Sequence, residues 1–167
     1  MTPQEFLTQA LERYERPLVS YARSITGDLE SARDAVQETF LRLARQDFKA
    51  LEPRLAPWLF FVCRNCAIDH CRKVVRLAPA EDDDVVPDPG RSPADDATAS
   101  EDAEQLRALV EKLPEKQREI VRLKFDAGLT YREIADVMKM TVSHVGVQLH
   151  HAIQTLRTQW QRANALP

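Results

Sequence analysis

The feature that most limits how this chain can fold is its middle segment, "APAEDDDVVPDPGRSPADDATAS", residues 78–100. It holds seven acidic residues against the lone base Arg91, with the unbroken run Asp82–Asp84 and prolines at 79, 87, 89 and 93. So few large apolar side chains cannot offset the entropy of ordering the backbone, and the segment reads as a flexible acidic linker. A chain of 167 residues divided there gives two small units, residues 1–77 and 101–167, each with room for a modest core.

The division also changes what the charge means. The formal net charge is −3, yet residues 1–77 carry 12 Lys/Arg and 10 Asp/Glu, and residues 101–167 carry 10 and 9. The acidity belongs to the linker. Between Arg54 and Arg76 five basic residues face Asp69 alone, and nothing after Asp136 is acidic, which marks two candidate anion-binding faces. The first residues lack the apolar core of a signal peptide, and no apolar run approaches a membrane span. The expectation is a cytoplasmic protein without membrane insertion.

Both ends repeat apolar residues with helical period, and no alternating strand pattern or Asn-Gly hairpin signal occurs. The fold class is therefore all-α: two small helical domains, the second containing a helix-turn-helix. In the first unit Phe6, Ala10, Tyr14, Leu18, Tyr21 and Ile25 fall on one helix face before Gly27 interrupts it. Ala32, Ala35, Val36, Phe40 and Leu43 line a second helix, and Pro57 suits the first turn of a third. In the second unit Pro114 marks a helix start, with Ile120, Val121, Leu123 and Phe125 inside and Gly128 where the C-terminal cap belongs.

Next, Thr130 and Glu133 form a capping box, opening a short helix to about Met138. Lys139 and Met140 make a tight turn, Thr141 is the following N-cap, and Val142, Val145, Leu149, Ile153 and Leu156 recur at helical spacing. Short helix, turn and longer helix are the elements of a helix-turn-helix. Ala135 is small where the helices would cross, and Val145 and Leu149 would face the first helix. Ser143, His144, Gly146, Val147, Gln148 and His151 are then left outward, where a major groove would meet them. An antiparallel helical hairpin without a DNA role has the same pattern.

Two clusters admit more than one chemistry. Glu30, Asp34 and Glu38, at i, i+4 and i+8, share a helix face. Such a stripe is a solvated face, a protein-docking face, or half of the carboxylate set of a metal-dependent helical nucleotide hydrolase; no second set of that spacing is present. All three cysteines lie in "PWLFFVCRNCAIDHCRK", residues 57–73, with Cys63, Cys66 and His70 at i, i+3 and i+7 and Cys71 beside them. One straight helix closes a zinc tetrahedron poorly, and a buried thiol behaves as a small hydrophobe, so these cysteines read as core and no metal is expected. Trp58, Phe60 and Phe61, followed by Arg64, Asn65, Arg72, Lys73 and Arg76, combine stacking surfaces with phosphate contacts, as single-stranded nucleic acid requires.

These segments, in this order, resemble the extracytoplasmic-function sigma factors, the small two-domain promoter-specificity subunits of bacterial RNA polymerase. "DAVQETFLRLAR" looks like the family's core-polymerase-binding segment, and "PWLFFVCRNCAIDHCRK" like its promoter-melting helix. "LPEKQREIVRLKFDAGLTYREIADVM" looks like the start of its C-terminal domain. The resemblance implies that Asp34, Gln37, Glu38, Phe40 and Leu41 dock on core polymerase. It implies that Arg64, Asn65, Asp69 and Arg72 belong to the minus-ten-reading helix, flanked by Trp58, Phe61, Lys73 and Arg76. The preceding "QDFKALEPRLA", with Phe48, Lys49 and Arg54, is similar to a loop that captures a flipped base in relatives. Arg132, Thr141, Ser143, His144, Val147, Gln148 and His151 are expected at the minus-thirty-five element. The implied protein is a non-enzymatic initiation factor without cofactors, whose partners are core RNA polymerase and promoter DNA, with an anti-sigma factor as a candidate third. The rival readings are a helix-turn-helix regulator that never joins polymerase, and the metal-dependent hydrolase.

Overall fold

The computed structural model describes residues 1–77 and 100–165, all helix, turn or coil. The expected acidic linker lies outside the described residues. By its contacts the chain divides into two compact units, Met1–Gly90 and Arg91–Pro167.

In the first unit, α1 (Pro3–Thr26), α2 (Leu29–Leu43) and α4 (Leu55–Leu77) pack each against the other two. Thr2 and Glu5 form a capping box that starts α1. The helix continues through Pro17 and stops at Gly27, whose N–H bonds the Arg23 carbonyl and whose φ of 85° turns the following chain out of the helix. Asp28 then caps α2 by accepting from the Ser31 N–H at 2.8 Å. Two caps back to back fix where the chain reverses, which brings the apolar stripes of α1 and α2 face to face. α4 closes the core with Leu59, Phe60, Cys63 and Ala67, each fully buried. The Phe60 ring meets Tyr21 edge-on at 5.5 Å. Burying a side chain of this size stabilises by roughly 1.5–3 kcal/mol, so three such stripes suffice to hold a small bundle.

The segment between α2 and α4 differs from the loop expected for it. It contains a one-turn helix α3 (Phe48–Leu51) and a 3-10 turn (Glu52–Arg54). Asp47 caps α3 through the Lys49 N–H at 3.1 Å, and Leu51 is buried. One turn of helix leaves no periodicity to read in the sequence.

In the second unit, α8 (Val142–Ala163) packs on α5 (Glu101–Glu111), α6 (Glu115–Val121) and α7 (Tyr131–Met138). Ile120, Leu123, Ile134, Val137, Val145 and Leu149 form its centre, each at most 2% exposed. Between α6 and α7 the backbone takes a π turn over Arg122–Asp126, with the Ala127 N–H bonded to the Arg122 carbonyl five residues back. The wider turn rotates Phe125 out of the register expected from α6. Phe125 is 62% exposed, contrary to the inward position its spacing suggested. Gly128, with φ of 71°, ends the turn as expected.

The helix-turn-helix follows the caps read from the sequence. Thr130 and Glu133 form the capping box of α7, and Thr141 accepts from the His144 N–H at 3.1 Å to start α8. Between them Lys139 takes the left-handed conformation, φ 53° and ψ 52°, while the Met140 N–H bonds the Ala135 carbonyl at 3.0 Å. That is a Schellman closure with lysine at the position where glycine is usual.

Candidate functional site

Three surfaces collect the side chains singled out in the sequence. On α2, packing of Ala32, Ala35, Val36, Thr39, Phe40 and Leu43 leaves Glu30, Asp34, Gln37, Glu38 and Leu41 exposed on the opposite side. The face is acidic with one large apolar residue, Leu41, 54% exposed. Arg42 donates from Nε to Oε1 of Glu38 at 3.2 Å. Phe40 does not belong to this face: it is 8% exposed and packs inward, so the docking role expected for it is corrected to a core role. Its helical position, one turn after Val36, puts it on the buried stripe.

On α4 the buried side is Leu59, Phe60, Val62, Cys63, Cys66 and Ala67. Trp58, Phe61, Arg64 and Asn65 are half-buried, and Asp69, Arg72, Lys73 and Arg76 are exposed. Spacings of three and four residues place Trp58, Phe61, Asn65, Asp69, Arg72 and Arg76 along one side of the helix. Stacking groups thus precede bases on a continuous surface. One aromatic leaves this set. Phe60 is fully buried against Tyr21, a core residue and not a stacking platform. Phe48 lies 5.5 Å from the Phe6 ring and half-buried, so α3 holds it against α1 while Lys49 and Arg54 stay exposed.

The cysteines line the inner side of the same helix. The Cys63 thiol faces the Leu18 carbonyl at 3.8 Å, and Cys71 donates to the Ile25 carbonyl at 3.4 Å. Burial pushes the Cys63 thiol up to about 12 and raises Cys66 as well. A thiol held protonated is neither a nucleophile nor a metal ligand, so Cys63 and Cys66 are core residues. Cys71 is half-buried. Among the described residues no three His, Cys, Asp or Glu side chains are grouped to hold a metal ion, the Glu30–Asp34–Glu38 stripe included.

On α8, Val145, Leu149 and Ala152 are buried. Ser143, His144, Val147 and His151 are exposed and Gln148 half-buried, as their spacing requires; Arg132 on α7 is exposed too. Gly146 is not fully outward: a Cβ there would stand 3.7 Å from Cε2 of Tyr131. Thr141 is exposed, its hydroxyl oxygen engaged as the N-cap. The sequence reading missed Tyr131, 41% exposed beside Gly146 with the Lys124 ammonium 5.4 Å from its ring centre. Its place directly after a capping threonine, at the first helical position, was the available signal. Among the described residues no helix is long and apolar enough to cross a membrane.

Comparison with known proteins covers both units. Residues 10–77 match the model for sigma-70 region 2, and residues 103–156 that for sigma-70 region 4. The chain is similar to the ECF RNA polymerase sigma factor SigM of Bacillus subtilis, 28% identical over 93% of this chain and 96% of that one. It is 30% identical to SigL of Mycobacterium tuberculosis, over 84% of this chain and 81% of the relative. It is 32% identical to EcfG of Rhodopseudomonas palustris, over 81% and 74%. The fold is that of CnrH, solved in complex with the cytosolic domain of CnrY: TM-score 0.61 and 21% identity, covering 97% of this chain and 91% of that one.

Proposed function

This chain belongs to the ECF RNA polymerase sigma factor family, and on that premise we propose how its surfaces divide the work of initiation. The chain is a sigma factor that binds core RNA polymerase and directs it to promoters. The observation that carries the assignment is that both sigma-70 region matches occur, in order, each on one compact unit.

Residues 1–77 form the polymerase-binding and melting domain. Asp34, Gln37, Glu38 and Leu41 are the docking face on α2, an apolar anchor within an acidic rim. Arg64, Asn65, Asp69 and Arg72 on α4 read the minus-ten element as it opens. Asn65 offers both a donor and an acceptor to an unstacked base edge, while Lys49, Arg54, Lys73 and Arg76 contact phosphates. Trp58 and Phe61 supply stacking surface at the upstream edge of the bubble. Residues 101–167 form the minus-thirty-five domain, with Ser143, His144, Val147, Gln148 and His151 toward the major groove and Arg132 and Thr141 at its margin. Residues 78–100 join the two domains.

The factor carries no catalysis of its own; polymerase performs the phosphoryl transfer, and the pair acts in the cytoplasm. An anti-sigma protein that covers one or both domains is the regulator this family membership suggests. Size-exclusion chromatography of the chain with core polymerase tests the assignment. Co-elution supports it, whereas a chain that binds DNA and elutes apart from polymerase is the helix-turn-helix regulator instead.

A further inference from the structure

Fixed positive charge is missing from α8 before its last two turns, where Arg157 and Arg162 lie. No Lys or Arg occurs between Lys139 and Arg157, and no Asp or Glu after Asp136. The titratable groups on this part of the helix are His144, His150 and His151, all exposed. They lie away from the buried stripe of Val145, Leu149 and Ala152. His144 and His151, seven residues apart, share one side of the helix at a rise of about 10 Å. Gln148, one turn after His144, donates from its amide nitrogen to Nε2 of the neutral ring at 3.2 Å, a bond that the ring gives up on protonation, when Nε2 becomes a donor to a phosphate instead. The rings of His150 and His151 are 6.2 Å apart.

We propose that these three imidazoles make the phosphate contacts of α8, so that the second domain grips DNA with a charge set by pH. The proposal deepens the reading of α8 as the recognition helix and rests on it. A neutral imidazole gives one N–H to a phosphate oxygen; the protonated ring gives a second donor and a full charge. Imidazole titrates near pH 6.5, and a neighbouring phosphate favours its charged form. Each cationic imidazole that pairs with a phosphate adds about one to the salt slope, so the two that share a side of the helix, His144 and His151, add about two.

α7 carries Arg132, Glu133 and Asp136 and ends at Lys139; the Glu133 carboxylate is bonded to the Thr130 N–H at 3.1 Å. α6 carries Glu115, Lys116, Arg118 and the buried Glu119. The π turn adds Arg122, Lys124 and Asp126. α5 carries Glu101, Asp102, Glu104, Arg107 and Glu111, and Glu111 is engaged by Arg118 and Arg122. Among the described residues no ion pair includes an imidazole of α8.

The test is fluorescence anisotropy of the full chain on a mixed-sequence DNA duplex, over a salt series at about pH 6 and about pH 8. From pH 8 to pH 6 binding should tighten roughly tenfold, and the slope of log affinity against log salt should steepen by about two. The triple variant His144→Gln, His150→Gln, His151→Gln should bind weakly at both pH values. His144→Lys with His151→Lys should bind tightly at both. The proposal is overturned by a wild-type slope equal at the two pH values, by a triple variant that keeps the pH response, or by no wild-type binding at about pH 6 in about 50 mM salt. Val147→Asp, an acid at the centre of the outward face, tests the parent reading separately. If binding survives it at both pH values, α8 is not the DNA contact. If Val147→Asp abolishes binding while wild type shows no pH shift, the parent reading stands and the histidine proposal falls.

Discussion

Arg42 reaches back one turn along α2 to Glu38, Nε to Oε1 at 3.2 Å, with both side chains about half exposed at 47% and 49%. A pair so placed contributes at most about 1 kcal/mol to stability. Its carboxylate is therefore free to serve a partner at little cost to the fold. Asp34→Lys with Glu38→Lys should weaken binding to core polymerase roughly tenfold or more, since like charges would now meet a surface suited to an acidic face. The circular dichroism melting temperature should stay within a few degrees of wild type. Unchanged affinity for core in a folded variant would remove this face from the interface.

For the melting helix, Arg64→Ala with Asn65→Ala should reduce open-complex formation more than closed-complex binding. The exposed bases Lys73 and Arg76 are untouched by the change and keep their phosphate contacts. Permanganate reactivity of bubble thymines reads the difference. Reactivity equal to wild type would show that these two side chains do not meet opened bases.

The buried thiols give a pH dependence with a fixed sign. The folded state keeps Cys63 protonated to about 12, above its ordinary value of 9.0, because burial penalises the thiolate. The stability from this group is fully present below pH 9.0 and is lost as pH rises toward about 12, since the unfolded chain ionises first. Cys66 shifts in the same direction. Urea unfolding between about pH 8 and pH 11 should therefore show declining stability, with a shallower decline in Cys63→Ala. A decline identical in the variant would place its origin in other groups.

In the helix-turn-helix, two positions hold residues that each site's backbone disfavours. Lys139 sits at φ 53°, a conformation that costs a residue with Cβ about 1–2 kcal/mol. Gly146 lies inside α8, where a Cβ would make only ordinary contact with Tyr131. Lys139→Gly and Gly146→Ala should each stabilise by about 0.5–1 kcal/mol, measured by denaturant midpoint at constant m-value. Destabilisation by Lys139→Gly would mean that the lysine side chain's own contacts outweigh its backbone strain.

How far the sequence could be read depended on whether a residue's position follows from a local period. The caps at Thr130 and Thr141 were legible because a capping oxygen and its N–H partner are three residues apart in the chain. Val145 and Leu149 were legible because α8 is long and regular. Phe125 was not, because one π turn shifts the helical register and no residue type announces it. Phe40 was read both on the apolar stripe of α2, from its spacing, and at the docking face, from its neighbourhood in a motif; its burial keeps the first. Phe60 and Phe61 are adjacent in sequence and chemically equal, and only the packing of α4 on Tyr21 decides which one is covered. The surfaces of α2, α4 and α8 were thus legible as faces, while the membership of individual aromatics was set by tertiary contacts that no short pattern encodes.

The most direct test of the account is run-off transcription by core RNA polymerase with and without this chain, on a library of promoter-length DNA fragments. The account predicts discrete transcripts from a subset of fragments that share two spaced elements, each transcript dependent on the added chain and lost with Asp34→Lys and Glu38→Lys. Transcript levels indistinguishable from core polymerase alone on every fragment, with a folded chain present in excess, would contradict it.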